Sequence, residues 1–400
     1  MPMNKPVFLA ALGGLALLTI AAWTFESGRQ AGAALIGAFA GLALYHARFG
    51  FTGGWRRLVR ERRGAGLRAQ LLLIGLTCVV SYPLIAWGSQ IEWQMFGESW
   101  SLAARGNVLP MTVASALGAF VFGVGMQLGG GCASGTLFTA GGGSTRMMLV
   151  LVFFIAGSVW ATYHWDFWAG TGRVFANTSV IREFGALGGL AALLALLGAL
   201  WLVSLRLERR AHGGVERIGG EDGWLQGPWS LRSGAIALAL VGILCFLVLG
   251  RPWGVTYGFA VWGAQAVDLL GGRPTEWTYW SGWRQGHVEG GLLASATSVM
   301  NIGIVAGAMG AAALAGKWSP IWALSRRDLL TAVIGGLMMG YGARLAYGCN
   351  IGAYLGGLVS GSLHGVWWLV WGFAGSALGV WLRARLAMDP PLRLQPQGAH

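Results

Sequence analysis

The sequence predicts an all-α, polytopic membrane protein with about ten transmembrane helices in two inverted repeats, including broken or re-entrant helices. The 400 residues are 55% hydrophobic and only 11% charged, whereas soluble domains have about 25% charged residues. Apolar segments close to the roughly 20 residues that cross a bilayer as a helix recur along the whole chain. A glycine-rich motif containing one cysteine occurs twice, which indicates an internal duplication.

The two copies of this motif read GVGMQLGGGCASGT at 123–136 and GYGARLAYGCNIGA at 340–353. Glycine matches are weak evidence in a chain with 68 glycines, but the match of Cys132 with Cys349 is stronger because the chain has only 4 cysteines. Each copy therefore predicts a thiol at a break in an apolar helix. The same offset pairs further residues: Gly131 with Gly348, Gly135 with Gly352, and Gln127 with Arg344.

The order of apolar and basic segments predicts the organisation of the chain. We expect, in order, an N-terminal anchor span at 1–30, a first repeat half at 31–205, a basic cytoplasmic linker at 206–232, a second repeat half at 233–385, and a flexible C-terminal tail at 386–400. The apolar segments themselves lie at about 7–23, 31–49, 69–87, 111–128, 147–163, 185–205, 234–250, 254–270, 291–315, 329–345 and 366–381.

The net charge of +13 is a second source of information about topology. The arginines cluster in short loops between spans, as at 56–68 and 206–217, and the positive-inside rule explains such clusters better than nucleic-acid binding does. We therefore expect the lipid bilayer as a partner, no nucleic acid, and both termini in the cytoplasm.

One apolar segment conflicts with this topology. If all the segments crossed the membrane, the basic residues at 317–327 and in the tail would lie on the opposite side from the earlier basic loops. The region 234–290 contains helix breakers, including Arg251-Pro252 and Gly271-Gly272. These predict that one segment of this region is re-entrant and that ten segments span.

Several classes of function find no support in the sequence. The four cysteines lie in apolar segments and do not form a disulfide framework. The histidines are scattered without the spacing of metal ligands, and no nucleophile–base pair suggests hydrolysis. We therefore predict no catalytic residue, no metal and no cofactor.

The repeated motif has a physical use if its two breaks meet near the middle of the membrane. Helix N-termini carry roughly half a positive charge and free N–H groups, so they attract anions without a basic side chain. Ser134 and Thr136 in the first copy and Asn350 in the second are candidate caps for short helices after the breaks. Gln127 and Arg344, each five residues before a cysteine, are candidates for a further donor and a full positive charge.

The two motifs resemble the paired signatures of the YeeE/YedE family of sulfur transport membrane proteins, and the resemblance extends over most of the chain. It implies a bacterial inner-membrane protein of two inverted halves that takes up thiosulfate or a related compound along a cysteine-lined path. Cys132 and Cys349 would be the central thiols, relaying the substrate by S–H···S contacts. A small cytosolic sulfurtransferase resembling TusA would be a partner.

One station of that path departs from the family pattern. A third cysteine is common in the segment that matches Arg48-Phe-Gly-Phe-Thr52, and Gly50 stands in its place. Either Thr52 or a backbone group substitutes at this station, or the chain carries something other than thiosulfate.

The leading hypothesis is thus a transporter for a small sulfur-containing anion. Three alternatives remain open: a membrane-embedded sulfur-transfer or thiol-redox protein that uses the same two cysteines, a transporter for a selenium compound, and a scaffold that anchors a partner. A reactive thiol pair needs a lowered thiol pKa, and neither motif contains a histidine or lysine that would lower it.

Overall fold

The computed structural model describes residues 2–95, 98–320 and 322–389. The α-helices are α1 (Lys5–Phe25), α2 (Gly28–Ala47), α3 (Phe51–Glu61), α4 (Ala65–Trp87), α5 (Val113–Gly129), α6 (Ala133–Gly141), α7 (Thr145–Tyr163), α8 (Trp165–Ala169), α9 (Val180–His212), α10 (Leu231–Leu249), α11 (Thr256–Leu269), α12 (Gln285–Glu289), α13 (Ala296–Leu314), α14 (Arg326–Leu345), α15 (Gly356–Leu358) and α16 (Leu363–Arg385).

Little else of the described chain is regular. A π-helix covers Asn350–Leu355, between α14 and α15. Two short antiparallel pairs join β1 (Glu92–Met95) to β2 (Glu98–Ser101) and β3 (Met111–Thr112) to β4 (Arg173–Phe175).

Ten helical segments of the described chain are long and apolar enough to cross a membrane. They are α1, α2 with α3, α4, α5 with α6, α7, α9, α10, α13, α14 with its continuation, and α16. The prediction of an all-α polytopic membrane protein is thereby confirmed.

The segment that does not span is α11. Its 14 residues extend about 21 Å as a helix, whereas the apolar core of a bilayer is about 30 Å thick. The sequence places a breaker at each end, with Pro252 before the helix and Gly271 after it. One segment of 234–290 therefore falls short of a full span. This is the condition under which all the basic loops lie on the same side of the membrane.

The centre of the molecule is a close crossing of α5 and α14. A Cβ atom added to Gly118 would lie 2.7 Å from the carbonyl oxygen of Gly342, and one added to Gly125 would lie 3.0 Å from that of Gly335. Only glycine allows the two backbones to approach so closely. The contacts are reciprocal, because the offset between the two cysteine motifs maps Gly118 onto Gly335 and Gly125 onto Gly342.

The other spanning helices pack in pairs around this crossing, and each pair joins one helix that precedes α9 to one that follows it. α7 packs along α14, and α16 packs along α5. In the same manner α2 packs along α13, and α4 packs along α10. Of the ten spans described, two lie outside these pairs, with α1 against α13 and α2, and α9 against α4.

The basic clusters lie on one face of the molecule, which we call the basic face. Arg63 and Arg68 bind Glu208 at 3.4 Å and 2.7 Å, and Arg57 binds Glu216 at 3.0 Å. These contacts attach the start of the predicted linker to α3 and α4. The predicted flexible tail begins at 386, and its residues 390–400 lie outside the part of the chain that the structure describes.

Candidate functional site

The first cysteine lies at a break between α5 and α6. α5 ends at Gly129, and Gly130 adopts the left-handed conformation (φ 93°) that turns the chain. Cys132 is then the N-cap residue of α6. Its carbonyl oxygen accepts hydrogen bonds from the backbone N–H and the hydroxyl of Thr136 at 2.8 Å and 2.9 Å, and its sulfur lies 3.5 Å from the Ser134 hydroxyl.

The second cysteine occupies the matching place. α14 ends at Leu345, and Cys349 is the N-cap residue of the π-helix Asn350–Leu355. The Cys349 sulfur faces the backbone N–H groups of Ile351 and Gly352. A helix N-terminus therefore points at this thiol, as the motif predicts.

The predicted capping residues are wrong. The N-cap positions belong to the cysteines, and Ser134, Thr136 and Asn350 lie inside the first turn of the helices that follow. The reason is geometric: the chain leaves the left-handed glycine and becomes extended already at Cys132 (ψ −172°), so α6 begins two residues earlier than a Ser134 cap would place it.

The structure brings the two thiols together in the interior. Cys132 and Cys349 are 1% and 0% exposed, and they lie within electrostatic range of each other. The helices that follow them, α6 and the π-helix, are in contact. Residues 217 positions apart in sequence thus stand at the starts of helices that touch in the interior. The other two cysteines lie elsewhere: the Cys78 sulfur is 3.9 Å from the Leu358 carbonyl oxygen, and that of Cys245 is 3.9 Å from the sulfur of Met300.

A cavity of about 280 Å³ leads to Cys132 from the basic face. We call it the inner vestibule. The predicted third station lies in it, since both Gly50 and Thr52 line its wall together with Gly131. Four helices begin at its surface: α3 after Gly50, α4 beside Gly66, α6 after Cys132 and α10 at Leu231.

A second cavity of about 210 Å³ reaches Gly348, the residue before Cys349. We call it the outer vestibule. It lies on the opposite face, because α10 runs from Leu231 at the inner vestibule to the residues just before Arg251 at the outer one. Helices begin here too, namely α11 at Thr256, α13 beside Thr297 and the π-helix before Gly352.

Two arginines give the outer vestibule its charge. Arg344 is 4% exposed, and it donates a hydrogen bond to the Tyr279 hydroxyl at 3.0 Å. Arg251 lies 3.5 Å from the Thr297 hydroxyl, and burial lowers the pKa of its guanidinium. Among the described residues, neither arginine has a carboxylate within ion-pair distance. The cavity can therefore hold an anion.

Arg344 is among the candidates named in the sequence analysis, but Arg251 is not. Arg251 entered the prediction only as part of a helix-breaking dipeptide. An arginine directly after an apolar helix on the face without basic loops goes against the positive-inside rule, and this was the available signal.

Gln127 and Arg344 hold equivalent positions in the motif but make different contacts. The Gln127 amide donates to the carbonyl oxygen of Thr52 at 3.1 Å and to the hydroxyl of Ser376 at 2.8 Å. Gln127 thus supports the wall of the inner vestibule from behind, whereas Arg344 lines the outer one directly.

Several buried polar atoms near the thiols have no hydrogen-bond partner in the described part of the chain. They are both side-chain polar atoms of Asn350, the Thr52 hydroxyl, the Gln127 carbonyl oxygen and the Tyr354 hydroxyl. Each such group costs about 1–3 kcal/mol when it stays unsatisfied. Of these residues, Thr52 lines the inner vestibule.

The fold and this site define a class: a polytopic membrane protein with an arginine-lined cavity on each face and two buried cysteines at breaks between its helices. The family described as sulphur transport matches residues 46–378, and the chain belongs to this family. In agreement with the sequence analysis, the family and the relatives below are transporters and not enzymes.

Three relatives have names that specify transport. The chain is 24% identical over 370 residues to a thiosulfate transporter TsuA of Escherichia coli, covering 90% of this chain and 95% of that protein. It is 30% identical over 261 residues to a TsuA of Spirochaeta thermophila, covering 62% and 70%. The probable transporter YedE of Escherichia coli is 34% identical over 172 residues, 43% of this chain and 41% of that protein, so the match spans about two fifths of YedE.

Proposed function

We propose that the protein carries a small sulfur-containing anion, with thiosulfate as the best candidate, across the bacterial inner membrane. The carrying observation is that two cavities on opposite faces, each with helix N-termini in its wall, reach the two breaks, whose buried cysteines precede helices that are in contact. The two TsuA relatives support thiosulfate as the substrate. In this proposal the basic face is cytoplasmic, and both chain termini lie there.

The proposed path runs from the outer vestibule past Cys349 and Cys132 to the inner vestibule. An unaided anion in a medium of low dielectric constant faces a penalty of tens of kcal/mol. Helix N-termini lower that barrier without a fixed counter-charge. A protonated thiol adds a weak S–H donor, so the anion is stabilised along the path and is still released. The Asn350 amide and the Thr52 hydroxyl are proposed to donate further hydrogen bonds, Gln127 holds the Thr52 backbone in place, and Gly50 leaves the third station without a thiol.

The proposal includes an inverted repeat. The reciprocal contacts Gly118–Gly342 and Gly125–Gly335 are those expected when an axis exchanges the two halves. The helix pairs follow the same exchange, since the pair of α7 and α14 corresponds to that of α16 and α5, and the pair of α2 and α13 to that of α10 and α4. The contact of α1 with α13 likewise corresponds to the contact of α9 with α4, so α1 matches α9. We therefore favour two halves of five spans each, divided between α7 and α9, over the predicted linker at 206–232. An odd number of spans in each half gives the halves opposite orientations in the membrane.

An acceptor on the cytoplasmic side is also part of the proposal. A cavity of about 540 Å³ adjoins the inner vestibule, since both are lined by Arg48, Phe138 and Thr139. Its further basic residues, Arg146 and Lys317, make this a suitable place for a TusA-like sulfurtransferase to receive the anion.

The test is uptake of ³⁵S-thiosulfate into proteoliposomes. Cys132→Ala and Cys349→Ala each remove one thiol of the central pair, and we expect either to reduce the uptake rate at least about tenfold. Cys78→Ala and Cys245→Ala are the controls, because they remove buried thiols elsewhere and keep the central pair. Equal uptake by all four variants would contradict the cysteine path.

A second function has one observation in its favour: two buried thiols stand at the starts of helices that are in contact. One thiol, as its thiolate, would take the outer sulfur of thiosulfate to form a persulfide, and sulfite would leave. The protein would then transfer sulfur and not only transport the anion. Mass spectrometry after exposure to thiosulfate separates the two functions, since transport leaves only free thiols. A thermal-shift panel with sulfate, thiosulfate, sulfite, selenite and tetrathionate identifies the preferred anion.

A further inference from the structure

A carboxylate follows the last helix and lies among three arginines of the basic face. Asp389 accepts hydrogen bonds from Arg383 at 2.5 Å and 3.1 Å, and its oxygens lie 3.6 Å from Arg56 and 3.7 Å from Arg60. The Asp389 side chain is only 7% exposed. The Arg383 hydrogen bond holds the pKa of the Asp389 carboxyl below its usual value, so the group is ionised at neutral pH.

This cluster is part of the inner vestibule. Arg56 lines the cavity directly. Arg383 also donates to the carbonyl oxygen of Gln127 at 2.6 Å, and the Gln127 side chain binds Thr52, which lines the same cavity. Asp389 is therefore connected to the place where an anion coming from the thiols would arrive.

The two vestibules differ in how their arginines are neutralised. In the outer vestibule, Arg251 and Arg344 have no carboxylate partner among the residues described. In the inner vestibule, Arg56 faces Asp389, and Arg57 pairs with Glu216 at 3.0 Å. Both arginines of the outer cavity thus keep their positive charge for an incoming anion. In the inner cavity, carboxylates lie against Arg56 and Arg57, and of its three arginines only Arg48 has no carboxylate among the ion pairs of the described residues.

We propose that Asp389 is a tethered counter-ion that competes with the transported anion for Arg56 and so speeds its release into the cytoplasm. This inference rests on the function proposed above. Because the carboxylate is joined to α16 by three residues, its local concentration at Arg56 is high, and an anion in solution must displace it to bind. The anion is then held weakly at the exit and strongly at the entrance.

The test is Asp389→Asn in the full-length protein, with transport measured in both directions. Right-side-out and inside-out vesicles present the outer and the inner vestibule, respectively, to labelled thiosulfate. We expect the variant to show a KM about fivefold lower from the inner side and a slower maximal rate of uptake. The KM from the outer side stays unchanged, and the difference disappears at high salt because the charges are screened.

Three further variants make the result specific. Asp389→Glu keeps the charge and should behave as the wild type. Glu276→Gln removes an exposed carboxylate that pairs with Arg273 at 3.1 Å on the opposite face, and it should leave both KM values unchanged. Arg56→Gln should raise the inner KM, the opposite of Asp389→Asn, and it keeps the inference testable if Asp389→Asn does not fold.

The outcomes also separate this inference from the proposed function. A lower melting temperature of Asp389→Asn with unchanged KM and rate would show that the cluster only holds the end of α16, and would overturn the inference. If the wild-type protein neither binds nor moves thiosulfate from either side, the proposed function itself fails.

Discussion

At the scale of single residues, the outer vestibule depends on two guanidinium groups that are far apart in sequence. Arg251 follows α10, and Arg344 lies near the end of α14. Both line a cavity into which three helix N-termini also point. A charged arginine with no carboxylate partner costs desolvation energy, and a bound anion would offset that cost.

We therefore predict that Arg251→Gln and Arg344→Gln each raise the KM for thiosulfate entry about 10- to 100-fold, the range for losing one hydrogen bond to a charged group. Initial uptake rates from the outer side measure this effect. Arg344→Lys keeps the charge and should restore part of the affinity.

Arg284→Gln is the matched control. Arg284 lies close to the same region, with its guanidinium 4.7 Å from the ring centre of Tyr279, but it does not line the cavity. If Arg284→Gln weakened entry as much as the two vestibule variants do, the effect would be one of net charge and not of the cavity.

The third station is the second prediction at this scale. A Cβ atom added to Gly50 would have no atom within 4 Å, and the residue has an extended conformation (φ −153°) that any amino acid adopts. Gly50→Cys should therefore change the melting temperature little and place a thiol in the inner vestibule that reacts with thiol reagents from the basic face.

Gly66→Cys is the control for Gly50→Cys, because it lines the same cavity but its Cβ would lie 2.6 Å from the Gly54 Cα. This variant should be destabilised by about 1–3 kcal/mol, as overpacked positions are. If Gly50→Cys were destabilised as strongly, the third station would have no room for a thiol.

At the scale of elements, the breaks after α5 and α14 are the features that the sequence predicts best. Repetition of the motif and the density of glycine locate both breaks, and in the structure the left-handed Gly130 ends α5. The start of the following helix was predicted less well, because serine, threonine and asparagine are common caps and a cysteine cap has no propensity signal.

Other parts of the site could not be predicted for a different reason. Arg251 and Asp389 acquire their roles from residues on other helices, and neither lies in a repeated or periodic pattern. Asp389 meets Arg56 across more than 300 positions of sequence. Only the folded arrangement brings such residues together, whereas a thiol inside a duplicated motif is visible in the chain itself.

The crossing of α5 and α14 gives a prediction for these two elements. A Cβ at Gly335 would lie 2.3 Å from the backbone nitrogen of Gly129, and one at Gly118 would lie 2.7 Å from the Gly342 carbonyl oxygen. Gly118→Ala and Gly335→Ala should each destabilise the protein by about 1–3 kcal/mol, and by similar amounts if an axis relates the two sites. Melting temperatures in detergent measure the loss.

Gly198→Ala in α9 is the control for this pair, since a Cβ there would meet nothing within 4 Å. Alanine also has a higher helix propensity than glycine, so this variant should be unchanged or slightly more stable. Unchanged stability of Gly118→Ala and Gly335→Ala would mean that the two helices do not approach as closely as the structure shows.

At the scale of the whole molecule, charge and helix length together determine the orientation in the membrane. Ten spans with a short α11 put all the basic clusters on one face, and contacts such as Arg57–Glu216 and Arg56–Asp389 show that these clusters meet in space. With α11 as a full span, the chain after it would be inverted, and α5 and α14 would run parallel. The reciprocal glycine contacts require them to be antiparallel.

Labelling of single introduced cysteines tests this orientation. The four native cysteines are buried and should react little with a membrane-impermeant thiol reagent. Ser281→Cys lies in the exposed segment after α11, and Glu221→Cys lies in the exposed segment before α10. We expect Ser281→Cys to be labelled from outside intact spheroplasts and Glu221→Cys only after permeabilisation, because α10 separates the two sites and α11 returns to the same side.

If both variants were labelled from the same side, α10 would not cross the membrane between them, and the proposed topology would be wrong. The opposite pattern, with only Glu221→Cys labelled from outside, would make the basic face external and reverse the direction of the proposed path.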